Sequence, residues 1–339
     1  MPTWMVRGER GRLYDTFREQ SIVAIGWQEI AADVGPSMTR AEITNLYQQR
    51  VPDLAQGAAI AGASQVWRFI NEIAVGDRVV TYSPGNRTYL YGAITSNFSY
   101  RAETADQGIA LVRSVQWEHS EISRDRLSTR SRNSLGSTLT IFLLPEVVAE
   151  ELRSLSEPNN ANRSITANPT TQDLEQTDDS SQATGLDGVQ QLALEKVKDL
   201  VVNLDWEEMQ DLVAGILRAM GYKTQISPPG PDRGRDIVAS PDGFGFEHPR
   251  IVVEVKHRTG QVDSRSIRGF IGGRHPDDRG LYVSTGGFTR DAKYEADRST
   301  VPLTLWDIDT LVRTLIEHYE HTDSETKRLV PLKKIYIPA

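Results

Sequence analysis

Apolar residues recur at helical spacing over one stretch of the C-terminal half of the chain. The positions are Trp206, Met209, Val213, Ile216, Leu217 and Met220. Residues three and four positions apart share one face of an α-helix, so the pattern predicts an amphipathic helix that buries this face. Gly221 follows, and glycine is common just past a helix end.

Beyond this helix, short apolar runs alternate with polar turns and further helical patterns. Strands are predicted over residues 222–227, 236–240, 250–256, 280–284 and 301–306, and helices over 263–270, 289–297 and 310–319. Three successive strands followed by alternating helices and strands are typical of an α/β sheet covered by helices. We therefore predict an αβα core here.

The N-terminal part has many short apolar runs. Strands are predicted over residues 2–6, 21–26, 77–83, 88–97, 108–117 and 138–143, and a helix over 58–73. Thr39 and Glu42 have capping-box spacing and predict a second helix start. Many short strands with few helices favour an α+β fold with a small curled or barrel-like sheet.

Residues 154–188 separate these two patterns. Asn, Ser, Thr, Gln and Asp dominate the segment, and its apolar residues are isolated. Such a stretch cannot bury enough surface to offset the entropy lost on ordering, so it is interpreted as a flexible linker. The prediction is an N-terminal domain over 1–153, a linker over 154–188 and a C-terminal domain over 189–339.

Composition narrows the function classes. The chain has 339 residues, a net charge of −8 and no cysteine. Disulfides, thiolate zinc sites and cysteine nucleophiles are excluded, and the composition fits a reducing cytoplasm. No apolar run is long enough for a membrane span, and no secretory leader or P-loop is found. The acidic balance argues mildly against a protein that only coats DNA.

One strand brings opposite charges together. In residues 250–256, alternate side chains share a face, so Glu254 and Lys256 lie side by side while Val253 and Val255 point the other way. Asp236 precedes Glu254 by 18 positions (254 − 236), at the start of a strand that a turn can bring alongside. Two carboxylates and one ammonium are therefore expected to converge.

Hydrolysis of a phosphodiester uses such a set. Asp236 and Glu254 are assigned as ligands of Mg²⁺, which prefers oxygen. Lys256 is assigned as the group that orients the attacking water and offsets charge in the transition state. The alternative is that a Glu-x-Lys pair in a strand is only a solvated face or an ion pair.

Basic residues flank these positions. Arg233 and Arg235 come before Asp236, and His257 and Arg258 follow Lys256. A phosphate backbone can lie along such a track, so these residues are candidate DNA contacts. Ordinary solvated surface is the competing interpretation.

At these residues the sequence resembles the Mrr-type restriction endonuclease family, in the PD-(D/E)xK nuclease class. The resemblance covers residues 205–319. Its matching pieces are the helix ending in Met220-Gly221-Tyr222, residues 234–238, the Glu254-Val255-Lys256 strand, residues 282–288, and Leu305-Trp306-Asp307. The resemblance implies a restriction-endonuclease-like αβα core and a Mg²⁺-dependent nuclease acting on DNA, often foreign or modified.

Two departures from the family pattern concern the site. Many members carry Gln where this chain has Glu254, and Glu fits the general nuclease motif. Members also often have an acidic residue on the first helix, matched here by Gln210. A neutral amide positions water or a metal ligand with less charge. Glu207 and Glu208 lie nearby as alternatives, although helix surfaces commonly carry such residues.

The N-terminal part loosely resembles PUA-like or EVE-like domains, small sheet folds that often recognise modified bases. The matching segments are residues 4–7, 22–27, 76–82 and 91–94. Arg7 is a candidate DNA contact, and Trp27, Trp67, Tyr82 and Trp117 are candidate walls for a flipped base. The competing interpretation places these aromatic side chains in the core.

Together these patterns predict an endodeoxyribonuclease of restriction type that selects double-stranded DNA through its N-terminal domain. Methylated or otherwise modified DNA is the expected substrate, in defence against foreign DNA. Cutting both strands requires two active sites, so a homodimer on DNA is expected, with no membrane partner. Two alternatives stay open: a catalytically inactive DNA-binding module and an RNA-processing nuclease.

Overall fold

The protein is described from a computed structural model. It describes residues 1–137, 139–157, 186–227, 236–257 and 260–335, and the side chains of 186–188 are not described. Contacts between Cα atoms divide the chain into a unit of residues 1–83 and 87–192 and a second unit of 84–86 and 193–339. Most of the predicted linker falls on 158–185, outside the described residues, so the linker stays a prediction.

The N-terminal unit is built on a single sheet. Its strands are β1 (Thr3–Val6), β2 (Ile22–Ile25), β3 (Arg78–Ser83), β4 (Thr88–Ile94), β5 (Ser99–Tyr100), β6 (Leu111–Trp117), β7 (Ile122–Ser123) and β8 (Ile141–Leu143). The order is β2-β6-β4-β3-β1-β8, with β5 pairing β6 and β7 pairing β4. The pairing of β1 with β3 is parallel.

Helices cover both faces of this sheet. They are α1 (Tyr14–Gln20), α2 (Gln28–Ala31), α3 (Arg40–Arg50), α4 (Gln56–Trp67), α5 (Thr129–Ser134) and α6 (Glu146–Ser156). Neighbouring residues of β3 belong to two different hydrophobic cores. Val79 packs in the core that contains Phe69, and Val80 packs in the core that contains Tyr89. The expectation of few helices is wrong, because short helices such as α1 lack a long periodic pattern.

The capping box predicted at Thr39 is confirmed. The Thr39 hydroxyl accepts from the Glu42 backbone N–H, and the Glu42 carboxylate accepts from the Thr39 backbone N–H. Two amide groups that the first helical turn leaves unpaired are thereby satisfied. The same arrangement at Asp205 and Glu208 begins α8 (Trp206–Ala219).

The C-terminal unit has the predicted αβα architecture. Its strands are β9 (Lys223–Ile226), β10 (Ile237–Ser240), β11 (Arg250–Lys256), β12 (Asp278–Ser284) and β13 (Leu303–Asp307). Besides α8, its helices are α7 (Leu186–Val202, which crosses the boundary between the units), α9 (Ser264–Gly272), α10 (Arg290–Asp297), α11 (Ile308–His318) and α12 (Ser324–Leu329). The sheet order is β13-β12-β11-β10-β9.

The two faces of β11 have different surroundings, as the alternation of its residues predicts. Val253 and Val255 pack with apolar residues of α8 and α11, including Val213. The other face lies against a smaller cluster built from α9, α10 and Tyr282. This second face carries Glu254, because Tyr282 contacts it directly.

None of the described helices combines the length and the apolar character that crossing a membrane requires.

Candidate active site

A hydrogen bond fixes Asp236 beside the centre of the Glu254-Val255-Lys256 segment. The β10–β11 pairing is antiparallel, with Ile237 opposite Val253. Asp236 comes just before β10, where its backbone N–H donates to the Val253 carbonyl at 2.9 Å. Its Oδ2 accepts from the Val255 backbone N–H at 2.6 Å. The carboxylate is therefore held at the residue that separates Glu254 from Lys256.

Glu254 and Lys256 form an ion pair on one face of the sheet. Lys256 Nζ lies 2.8 Å from Glu254 Oε1. The Glu254 side chain is 11% exposed and that of Lys256 is 38% exposed. Asp236 is also nearly buried. Lys256 is therefore the member of this group that solvent reaches most. Because Asp236 and Glu254 are shielded from water, the charges of the three side chains interact more strongly than they would at the surface.

Tyr282 is a site residue that the sequence analysis did not assign. Its hydroxyl donates to Glu254 Oε1 at 3.1 Å. The ring is fully buried and makes edge contacts with Phe270 at 5.2 Å and Phe288 at 6.0 Å. These contacts fix the ring, and the ring in turn orients the glutamate. The sequence alone does not indicate this role, because it depends on the parallel register of β11 with β12, which places Tyr282 beside Glu254.

A buried hydroxyl lies close to this group. Ser284 is two residues from Tyr282 on β12, so both side chains share a face, and Ser284 pairs in register with Lys256. Within the described part of the chain, the Ser284 Oγ is buried and has no hydrogen-bond partner. Such a group commonly marks the place of an ordered water or a ligand oxygen.

The donor set fits a hard divalent cation. Glu254 on β11 and Asp236, just before the neighbouring strand β10, supply carboxylate oxygens. Across the described ranges, no group of three or more His, Cys, Asp or Glu side chains is arranged to hold a metal ion. Mg²⁺ is usually bound by one or two carboxylates together with waters and substrate phosphates, so a complete protein cage is not required.

Among the other sequence candidates in this unit, Gln210 is buried on α8, whose residues Met209 and Val213 pack in the same core as Val253. His257 Nε2 lies 2.7 Å from the Leu204 carbonyl, and its Nδ1 lies 3.2 Å from Thr285 Oγ1. Both ring nitrogens therefore have protein partners. The candidates Arg233, Arg235 and Arg258 fall outside the described residues. Roles for all five stay predictions.

The N-terminal candidates have mostly structural surroundings. Arg7 is nearly buried and donates to the backbone carbonyls of Leu135 and Ser137, which does not favour a DNA contact. Tyr82 is buried and stacked on Tyr89 at 4.6 Å.

Three tryptophans of the N-terminal unit are only partly buried, Trp27, Trp67 and Trp117. Trp27 packs against the core and has a left-handed backbone, φ 55°. Trp67 lies under Arg40, whose Cζ is 4.3 Å from the ring centroid.

Trp117 lines a cleft of about 770 Å³ in the N-terminal unit. Charged residues on its walls include Arg18, Arg78, Glu118 and Glu121. Arg18 pairs with Glu121 at 2.5 Å, and the Trp117 Nε1 donates to the Phe17 carbonyl at 2.8 Å. The cleft contains none of the three C-terminal site residues. Its charges of both signs around an aromatic wall suit a polar, planar ligand better than an apolar one.

Different family models match the N-terminal and the C-terminal units of the chain. A family model of Mrr-type catalytic domains, described as restriction endonuclease, matches residues 201–315. A model described as a domain of unknown function matches residues 4–144. No curated protein matches the chain.

Three solved structures show weak similarity. The MspJI restriction endonuclease in complex with a 27-mer oligonucleotide has a TM-score of 0.32 and 14% identity, covering 75% of this chain and 64% of that one. The DNA modification-dependent restriction endonuclease AspBHI has a TM-score of 0.29 and 17% identity, covering 82% and 74%. A protein of unknown function, AF1548, has a TM-score of 0.26 and 18% identity, covering 32% and 66%.

The chain thus spans slightly less than two thirds of two of these structures, AF1548 and MspJI. Similarities at this level do not establish a shared fold.

Proposed function

Since residues 201–315 match the family model of Mrr-type catalytic domains, described as restriction endonuclease, we propose that the chain hydrolyses phosphodiester bonds of double-stranded DNA at Asp236, Glu254 and Lys256. The observation that carries the proposal is the hydrogen bond from the Val255 N–H to Asp236 Oδ2. It holds one carboxylate against the strand segment that presents the other carboxylate and the lysine.

Nuclease domains of this family generally use divalent metal ions. We assign Mg²⁺ here, held by Asp236 and Glu254. When bound, the ion supplies Lewis-acid polarisation of the phosphoryl oxygen and activation of a water. Lys256 places a positive charge beside the reacting phosphate and donates to the attacking water or the developing oxyanion. Tyr282 keeps Glu254 oriented.

Replacing Tyr282 with Phe is expected to slow cleavage about tenfold, the scale of losing one hydrogen bond to a charged group, about 1.5 kcal/mol. The Phe ring keeps the contacts with Phe270 and Phe288, so the fold is retained. Cleavage rates of Tyr282→Phe are compared with those of Tyr294→Phe, at an exposed tyrosine. Equal rates for Tyr282→Phe and wild type would remove Tyr282 from the site.

The N-terminal unit is proposed to select the DNA, with methylated or otherwise modified bases as its ligand. The cleft beside Trp117 supports this, because it combines an aromatic wall, carboxylates that can accept from base amino groups and arginines that can contact phosphate. Two chains acting together would supply one active site for each strand. A role in defence against foreign DNA follows from this selectivity.

The test is digestion of matched plasmids that differ only in cytosine or adenine methylation, with Mg²⁺ and with EDTA. Metal-dependent cutting that depends on one modification supports the proposal. Arg18→Ala is expected to weaken this selectivity. Arg50→Ala is its matched control, because Arg50 is equally exposed (53% against 52%) and pairs with Asp33 at the same 2.5 Å, but does not line the cleft.

Binding without cutting, in every methylation state, would favour an inactive DNA-binding module. Preferential hydrolysis of an RNA competitor in the same assay would favour an RNA-processing nuclease. Equal selectivity of Arg18→Ala and wild type would remove the cleft from DNA selection.

A further inference from the structure

Ser284 carries a buried hydroxyl to which the proposed chemistry gives no role. The residue ends β12 and is 0% exposed. Among the residues that the structure describes, its Oγ has no hydrogen-bond partner. Burying an unpaired hydroxyl is unfavourable, and an alanine would fill most of the same space without that cost. Packing alone therefore does not explain a serine here.

The register of the sheet places Ser284 next to Lys256. The strands β11 and β12 are parallel, with Glu254 opposite Tyr282 and Lys256 opposite Ser284. The hydrogen bond from the Tyr282 hydroxyl to Glu254 Oε1 shows that the first of these pairs shares one face of the sheet. Side chains two positions further along each strand lie on the same face. Neighbouring strands are about 4.8 Å apart, so the Lys256 side chain is long enough to contact the Ser284 hydroxyl.

The backbone around Ser284 is fixed by hydrogen bonds. The Thr285 N–H donates to the Lys256 carbonyl at 3.1 Å, and the Gly287 N–H donates to the Ser284 carbonyl at 3.3 Å. The Thr285 Oγ1 also lies 3.2 Å from His257 Nδ1. Lys256 is less constrained, because its side chain has a flexible four-carbon stem and is 38% exposed. A contact between the ammonium and the hydroxyl is therefore made by movement of the lysine.

Lys256 has more hydrogen-bond donors than its ion pair uses. Its ammonium carries three N–H groups. Within the described ranges its ion-pair partner is Glu254 Oε1, at 2.8 Å, an oxygen that also accepts from the Tyr282 hydroxyl. A divalent cation held by Glu254 weakens this ion pair, since two positive charges then repel each other beside one carboxylate. The ammonium then needs another acceptor to stay in place.

We propose that Ser284 is a positioning residue for Lys256. With metal and DNA bound, the Ser284 Oγ accepts a hydrogen bond from the Lys256 ammonium and holds the ammonium beside the reacting phosphate. A second N–H of the ammonium donates to the attacking water or the developing oxyanion. The same hydrogen bond satisfies the buried hydroxyl. The inference rests on the proposed function, because it assigns Ser284 a place in the site that cuts DNA.

The first experiment measures single-turnover cleavage with Mg²⁺, and DNA affinity in EDTA, for the full chain. Ser284→Ala is expected to cut about tenfold more slowly, the scale of one hydrogen bond to a charged group, and to bind DNA as wild type does. The control is Thr81→Val in β3 of the N-terminal unit. It removes another 0% exposed hydroxyl that has no partner in the described structure, and it should cut as wild type does.

A double-mutant cycle separates positioning of Lys256 from a structural role. If Ser284 acts only through the ammonium, Ser284→Ala should cause no further loss of rate in the Lys256→Ala background. A structural role would instead slow cleavage by the same factor in both backgrounds.

A crystal structure of the full chain with a DNA duplex and Ca²⁺ measures the contact independently of activity. Ca²⁺ also takes oxygen ligands and is used here as the probe. The Lys256 Nζ is expected within about 3.2 Å of the Ser284 Oγ. A lysine that stays on Glu254, with no contact to Ser284, would contradict the inference.

Cleavage by Ser284→Ala at the wild-type rate, or an equal loss in the two backgrounds, would overturn the inference while leaving the proposed function intact. A Thr81→Val variant as slow as Ser284→Ala would also overturn it, because the loss would not be specific to the site. Failure of wild type to cut any DNA would overturn the proposed function, and the inference with it.

Discussion

Replacing Lys256 with Ala is expected to slow DNA cleavage about 100- to 1,000-fold, the usual loss when one preorganised group that stabilises transition-state charge is removed. Lys256 Nζ is the only basic group that the described structure pairs with Glu254, at 2.8 Å. Its side chain reaches solvent while Glu254 stays nearly buried, so it is placed to meet a phosphate. DNA binding should change little, because many contacts along the backbone share that affinity.

The measurement is single-turnover cleavage alongside binding in EDTA. Lys256→Arg should recover only part of the rate, because a planar guanidinium does not replace a compact ammonium. Lys293→Ala removes an exposed lysine from α10 and serves as the control. Cleavage by Lys256→Ala at the wild-type rate would exclude Lys256 from the chemistry.

Replacing Lys198 with Ala is expected to destabilise the C-terminal unit by about 3 kcal/mol, the lower end of the cost of removing one partner of a buried ion pair. Lys198 is 1% exposed and lies 2.8 Å from Glu195 and 2.5 Å from Asp309, joining α7 to α11. The lower end applies because Asp309 keeps Arg313 as a partner at 2.7 Å and is 22% exposed.

The loss should depend on pH in a defined direction. Burial raises the pKa of Asp309, but Lys198 and Arg313 outweigh it and hold the pKa below its usual value. A carboxyl group whose pKa is lower in the folded than in the unfolded state stabilises the fold at pH values above its unfolded-state pKa. This stabilisation is lost as the pH falls through its folded-state pKa. The difference in free energy of unfolding between wild type and Lys198→Ala should therefore become smaller at acidic pH.

Urea denaturation at several pH values, followed by hydrogen exchange of α7 and α11 peptides, measures the effect of Lys198→Ala. Lys196→Ala is the matched control on the same helix, since Lys196 is exposed. A midpoint for Lys198→Ala equal to that of Lys196→Ala would show that the buried ion pair does not stabilise the unit.

The strands of the C-terminal unit were predictable because their apolar residues carry the pattern. Val253 and Val255 alternate with Glu254 and Lys256 in the sequence, and the structure separates them onto the two faces of β11. The opening helix α8 was predictable for the same reason, helped by its capping residue Asp205. Periodicity and capping are local signals, so one sequence suffices to read them.

Tyr282 illustrates what local patterns do not contain. Its role depends on the parallel register of β11 with β12, which the intervening helix α9 sets through packing.

Arg7 shows how distant partners change an interpretation. An arginine after an apolar strand is a reasonable candidate for a phosphate contact. Its partners Leu135 and Ser137 lie about 130 positions away, and only the tertiary fold brings their carbonyls to the guanidinium. Gln210 is comparable, because its burial in α8 is set by tertiary packing and not by the helix pattern that carries the resemblance.

Binding of Mn²⁺, a spectroscopic substitute for Mg²⁺, tests most directly whether Asp236 and Glu254 share one ion. Electron paramagnetic resonance titration of the full chain with DNA present is compared for wild type, Asp236→Asn and Glu254→Gln, with Glu317→Gln on the exposed side of α11 as control. We predict one Mn²⁺ site in wild type and in the control variant. In Asp236→Asn and in Glu254→Gln, the affinity for Mn²⁺ should fall at least about tenfold, on the scale of 1.4 kcal/mol. Unchanged Mn²⁺ affinity in both Asp236→Asn and Glu254→Gln would contradict the account.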